Sequence, residues 1–185
     1  MIDPAARVLR SCPEIAWDGD VWRVHTRRYS PPDPGGSLKS QGRWHRGGPS
    51  FPPDQIFATL YTTVSDAVAT WEYIRHSRRS DADEMWLRLT SVNLSRLHVR
   101  LSVALDLRDP TLAGLTVNDL TGDDYALPQA IGAEAFARRF EGLLVPSATG
   151  VGEAGRDFNV IIYTENLRPD SLITSVESKT PNLPT

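Results

Sequence analysis

The chain has 185 residues, 40% of them hydrophobic and 23% charged, with a formal net charge of −3. That suits one globular domain with a substantial core, and its charge argues against a bulk electrostatic grip on nucleic acid. Cys12 is the only cysteine, which excludes an intrachain disulfide framework. No apolar run approaches the roughly 20 residues of a membrane span, so the reading is no membrane, no signal peptide and a cytoplasmic address.

Residues 1–19 read as an N-terminal extension, with Cys12 a small residue near a frayed terminus. Residues 21–26, "VWRVHT", alternate as an early strand, with Val21, Arg23 and His25 on one side and Trp22 and Val24 on the other. The prolines and glycines of residues 27–41 forbid regular structure and mark a long loop. "IFATLYTT" (56–63) is predicted as a strand, followed by a helix over 66–79 with Ser65 as its N-cap. The basic group Arg75, His76, Arg78 and Arg79 then reads as a solvated helix end.

"MWLRLTSVNL" (85–94) and "LHVRLSVALDL" (97–107) are rich in β-formers. Residues 127–142 are predicted as a helix with proline near its start and glycine at its end. "LLVPSA" (143–148) and "FNVIIYTE" (158–165) read as buried strands, and the polar tail beyond Leu172 is expected to fray. Strands and helices mix without regular βαβ alternation. The fold class is therefore α+β, a single domain with a largely antiparallel or split sheet.

No phosphate-binding loop, dinucleotide fingerprint, zinc spacing or serine elbow is present, and the scattered histidines argue against a metal. What remains is a set of polar residues embedded in apolar stretches. Arg23 inside "VWRV" is either a structural or exposed arginine, or one met by an anion. Arg43 and His45 lie in a glycine-flanked turn, "GRWHRGG" (42–48), where backbone amides can approach an anion. Trp44 beside them is most simply a core plug. Glu72 within "ATWEYI" is a carboxylate in an apolar setting, to be neutralised, paired or functional. Tyr61 reads as a core tyrosine and Ser147 as a turn residue.

Taken in order, an arginine on an early strand, "GRWH" (42–45), "LYTTVSDAVATWE" (60–72), "GDDYALPQAIG" (122–132) and "GLLVPSA" (142–148) resemble the RES domain, over roughly residues 20–170. That family is named for an arginine, a glutamate and a serine, which fall here on Arg23, Glu72 and Ser147. The resemblance divides the chain into an extension at 1–19, a RES domain at 20–172 and a polar tail at 173–185. It implies an ADP-ribosyltransferase-like fold and a toxin that degrades NAD by cleaving the nicotinamide–ribose bond. The acceptor would be water or inorganic phosphate, with no metal.

It also implies an Xre-family antitoxin as partner, a homo-oligomer or toxin–antitoxin hetero-oligomer, and no direct contact with nucleic acid. Arg23, Glu72 and Ser147 would be the catalytic set, and Arg23, Arg43, Trp44, His45, Tyr61 and Asn159 would bind NAD. Arg46 is left to solvent. His45 departs from the family pattern, which commonly has asparagine there. Two rival readings are a protein ADP-ribosyltransferase of the same fold and a catalytically silent binding module.

Overall fold

The computed structural model describes residues 3–77, 91–149 and 157–181. The β-rich segment expected at 85–90 and the arginines at 78 and 79 lie outside the described residues. In chain order the elements are α1 (Pro4–Ser11), β1 (Glu14–Thr26), β2 (Thr59–Thr63), α2 (Asp66–Ser77), β3 (Val92–Asp106), α3 (Val117–Thr121), α4 (Ala126–Ala137), β4 (Gly142–Pro146), β5 (Phe158–Tyr163) and β6 (Leu172–Lys179).

The N-terminal segment does not fray. Asp3 caps α1 by accepting the Ala5 N–H at 3.1 Å, and Pro4 opens the helix where no N–H is needed. Ala5, Val8 and Leu9 recur at helical spacing and are buried, and α1 packs against α4. Cys12 is buried in the same core, and burial, aided by Asp106 and Asp109, raises its thiol pKa. It is a core residue with no nucleophilic character.

The strands form a six-stranded sheet in the order β1-β2-β5-β4-β3-β6, with β3 also pairing back onto β1. Strands β1, β2, β5, β4 and β3 therefore make a closed circuit. Long β1 and β3 run antiparallel along nearly their whole length, with Arg23 opposite Ser95. Among the described strands only β3 and β4 are parallel, at Ala104–Asp106. The expectation of a largely antiparallel sheet holds.

Strands β4 and β5 are almost wholly apolar because both of their faces are covered. Leu143, Val145, Ile161 and Tyr163 point to a core shared with α1, α4 and Trp44. Their alternates Leu144, Val160 and Ile162 point to a second core with Leu60, Leu97, Val99 and Leu101, inside the strand circuit. Trp44 is 2% exposed, and a cavity in its place would cost about 3–5 kcal/mol.

Two expectations are corrected here. The helix predicted over 127–142 ends at Ala137; Arg139 adopts a left-handed φ of 65°, and Gly142 opens β4. The tail expected to fray after Leu172 is strand β6, antiparallel to β3 from Leu94 to Arg100. Its side chains are mostly exposed, so it shows no apolar alternation.

Sequence reading also missed Glu141, which is fully buried. Its Oε2 accepts the N–H groups of Ser102 (2.6 Å) and Val103 (2.8 Å), and its Oε1 accepts from the Arg168 N–H (2.6 Å) and the Ser171 hydroxyl. These bonds tie an irregular stretch of β3 to the turn that feeds β6, and they satisfy a charge that burial would otherwise penalise.

Candidate active site

A cleft of about 440 Å³ lies between β1, β2, α2, the 36–45 segment and the ends of β4 and β5. Volumes of this size are typical of small-molecule sites. Of the residues singled out from sequence, Arg23, Arg43, Trp44, His45, Tyr61, Glu72 and Asn159 all line it.

Glu72 is delivered by α2. The Ser65 hydroxyl receives the Val68 N–H at 3.4 Å, and buried Val68, Ala69 and Ile74 seat the helix. This leaves Glu72 and Arg75, one turn apart, on the cleft side. Glu72 Oε1 accepts from Ser147 Oγ (2.9 Å), Asn159 Nδ2 (3.1 Å) and the Ala148 N–H (3.3 Å). No hydrogen bond reaches Oε2 among the described residues. Ser147 is not part of the cleft wall; its hydroxyl sits behind Glu72 and also meets Thr149 Oγ1 at 2.9 Å.

Asn159 faces Val145 on β4 and Thr63 on β2 across the sheet. Its Nδ2 must donate to the carboxylate, which orients the amide. Its Oδ1 is then a buried acceptor without a donor among the described residues.

Arg23 projects from β1 and its Nη1 donates to the carbonyls of Pro31 (2.6 Å) and Asp33 (2.7 Å) in the 27–41 loop. Burial lowers its pKa to about 10, with the charge of Asp33 opposing. Arg23 is thus neither in a short ion pair nor solvent-exposed; it ties the long loop to the cleft.

The "GRWH" turn is held from several sides. Gly42 and His45 form an isolated β-bridge, and Gln129 Nε2 on α4 donates to the Gly42 carbonyl at 2.9 Å. A Cβ at Gly42 would collide with the His45 ring and the Tyr61 hydroxyl, which requires glycine there. The Trp44 N–H donates to the Tyr61 hydroxyl at 2.8 Å, and Tyr61 in turn lies 2.9 Å from His45 Nδ1. His45 Nε2 faces the carbonyls of Ser37 (2.9 Å) and Ser40 (2.8 Å). Two carbonyls require a donor, so Nε2 carries the proton and Nδ1 accepts from Tyr61. Burial lowers the His45 pKa and raises that of Tyr61.

Arg43 Nη1 donates to the carbonyls of Leu120 (3.3 Å) and Gly122, just where α3 leaves its last carbonyls without helical partners. Its guanidinium lies 4.4 Å from the centre of the Tyr125 ring. Burial lowers its pKa; Tyr125 opposes this, the nearby charge of Arg75 adds to it, and Glu72 opposes. Arg46 is half-buried over Phe51, donates to Gln55 and lies outside the cleft wall.

Sequence reading missed Arg75 as a site residue. It is not a solvated helix end: its Nη1 donates to the Ala148 carbonyl at 2.8 Å, and it lines the cleft. The i, i+3 spacing from Glu72 is the signal that could have found it. Tyr125, beneath Arg43, was also missed.

The RES domain family matches residues 20–181. The NAD(+) phosphorylase MbcT of Mycobacterium bovis is 26% identical over 161 residues, covering 85% of this chain and 80% of the relative. MbcT of Mycobacterium tuberculosis matches to the same extent. The crystal structure of the M. tuberculosis MbcT–MbcA toxin–antitoxin complex contains a similar fold, with a TM-score of 0.71 at 23% identity over 95% of this chain and 90% of that one. With the family model matching residues 20–181, most of its length, the chain belongs to the RES domain family.

Proposed function

We propose that this protein is a toxin that destroys NAD by breaking the bond between nicotinamide and its ribose, and that an Xre-family antitoxin restrains it. The family match and relatives named NAD(+) phosphorylase support the reading. One structural observation carries it: the Glu72 carboxylate is fixed in the cleft through Oε1, while Oε2 takes no bond from the described protein. The closed strand circuit with a cleft at its edge suits an ADP-ribosyltransferase-like fold. The same reading makes the protein cytoplasmic, where it would meet NAD and its antitoxin.

Loss of nicotinamide builds positive charge at C1 of the ribose, as in glycoside cleavage. A carboxylate held against that carbon stabilises the transition state more than the ground state. Glu72 is that group, and Ser147 positions it from behind. Asn159 Oδ1, buried without a donor among the described residues, suits a ribose hydroxyl or the nicotinamide carboxamide. Arg23 presents its remaining N–H groups to the pyrophosphate, and Tyr61 lies along the nicotinamide end. Released nicotinamide takes the bonding electron pair, and water or inorganic phosphate takes the ribosyl carbon.

The test is NAD turnover by purified protein, followed as nicotinamide release. Glu72→Gln is expected to lower kcat by about 10²- to 10³-fold while NAD affinity stays within about threefold. Unchanged turnover would remove Glu72 from the mechanism. ADP-ribose recovered on a protein target, with little NAD lost, would support the transferase reading instead.

A further inference from the structure

We propose that Arg75 and Arg43 together form a subsite for the acceptor in this reaction, an inorganic phosphate dianion, separate from the station that holds the dinucleotide's own phosphates. The proposal rests on the NAD-cleaving reading and adds a binding site to it.

The cleft holds three guanidinium groups, and they fall into two stations. Arg23 is tied to the Pro31 and Asp33 carbonyls, and its electrostatic partner is Asp33. Arg43 donates to the Gly122 carbonyl and Arg75 lies 3.8 Å from Asp123, so both guanidinium groups meet the same short segment after α3. A dinucleotide has one pyrophosphate, which one station satisfies; a paired set of like charges elsewhere in the cleft calls for a second anion.

The pair is built into the fold. Glu72 and Arg75 grip the same residue at the end of β4, Glu72 taking the Ala148 N–H and Arg75 donating to the Ala148 carbonyl. Arg75 is therefore fixed beside the carboxylate assigned to the ribosyl carbon. The segment after α3 supplies the opposing side: Leu120 and Gly122 orient Arg43, and Tyr125 lies against its guanidinium.

Each arginine uses Nη1 on main-chain carbonyls, and those bonds orient the fork without neutralising it. Among the described residues Arg43 has no carboxylate within ion-pair distance. Among the described residues Arg75 has only Asp123, 3.8 Å away and fully exposed, a contact of little strength. Two oriented guanidinium groups in one cleft, Arg75 beside Glu72 and Arg43 on the opposing segment, match a tetrahedral dianion.

In the resulting step a phosphate oxygen forms a bond to C1 of the ribose as the carbon–nitrogen bond breaks. The electron pair of that bond neutralises the pyridinium nitrogen of nicotinamide. Hydrogen phosphate and NAD thus give ADP-ribose 1-phosphate and nicotinamide, and the phosphate proton passes to solvent.

The experiment measures initial rates of the full-length protein with phosphate and NAD varied independently, and identifies products by phosphorus NMR. Arg75→Gln is expected to raise the KM for phosphate by about tenfold or more, the value of one charge-assisted hydrogen bond, with a smaller change in the KM for NAD. Sulfate is expected to compete with phosphate in the wild type. Asp123→Asn, which leaves Arg75 without its exposed partner, is expected to lower the KM for phosphate by about twofold. An unchanged phosphate KM in both variants, or an NAD KM raised as much as the phosphate KM in Arg75→Gln, overturns the subsite. Wild-type protein that leaves NAD intact overturns the NAD-cleaving reading itself, whereas NAD cleavage indifferent to phosphate overturns only the acceptor site.

Discussion

His45 shows how one side chain links the loop to the cleft. It donates to two loop carbonyls and accepts from Tyr61, whose oxygen already receives the Trp44 N–H. A second proton on the ring would turn Nδ1 into a donor and take away the acceptor that the Tyr61 hydroxyl proton now uses. Burial accordingly lowers the folded pKa of His45 below its ordinary value of 6.5, and burial does the same at His25. The unfolded chain then binds more protons than the folded one below that value, so stability is full above about pH 6.5 and falls as pH drops toward the lowered folded values. Melting temperature is expected to decrease from pH 7 to pH 5, and His45→Gln is expected to flatten part of that decrease, with His25 carrying the rest. Superimposable pH profiles for wild type and variant would contradict this role for His45.

The site was partly legible at this scale. Arg23, Glu72 and the GRW turn stand out as polar groups within apolar or glycine-rich stretches, where burial without a partner would be costly; Tyr61 read as a core tyrosine and entered only through the family resemblance. Arg75 did not stand out because it lies among other arginines at a helix end. Glu141 gave no signal because its donors come from residues 102, 103, 168 and 171, none of them near it in sequence.

Among the elements, the 27–41 loop and β6 matter most. Arg23, His45 and the Ser37 hydroxyl, which accepts the Thr59 N–H at 2.8 Å, each fasten the loop against the strands that wall the cleft. Strand β6 covers one edge of β3, and Glu141 pins the turn before it. A chain ending at Ser171 would expose that edge, and unpaired edges recruit other chains. Such a truncation is expected to lower the melting temperature by about 5–10 °C and to raise the self-associated fraction seen by light scattering. A truncated protein that stays monodisperse and melts like the full chain would show that β6 is dispensable.

Residues 21–26 of β1, and strands β4 and β5, were readable because their side chains alternate or run apolar against two cores. Residues 14–19, read as part of an extension, are the first half of β1. Strand β6 was not, because it contributes backbone pairing and little buried surface. The end of α4 was misread for a different reason: glycine at position 142 marks the opening of β4 beside the Ile161 carbonyl, while Arg139 itself takes the left-handed turn.

For the molecule as a whole, the closed strand circuit gives a rigid frame whose edge gathers residues distant in sequence. Arg23 from β1, Tyr61 from β2, Glu72 from α2 and Asn159 from β5 reach one cleft, and Ser147 beyond β4 secures Glu72. The most direct measurement is intracellular NAD after brief expression of this chain alone, beside Glu72→Gln. The expected result is a rapid fall of NAD with the wild type and a steady level with the variant. NAD unchanged by both proteins, or depleted equally by both, would contradict cleavage of NAD at Glu72.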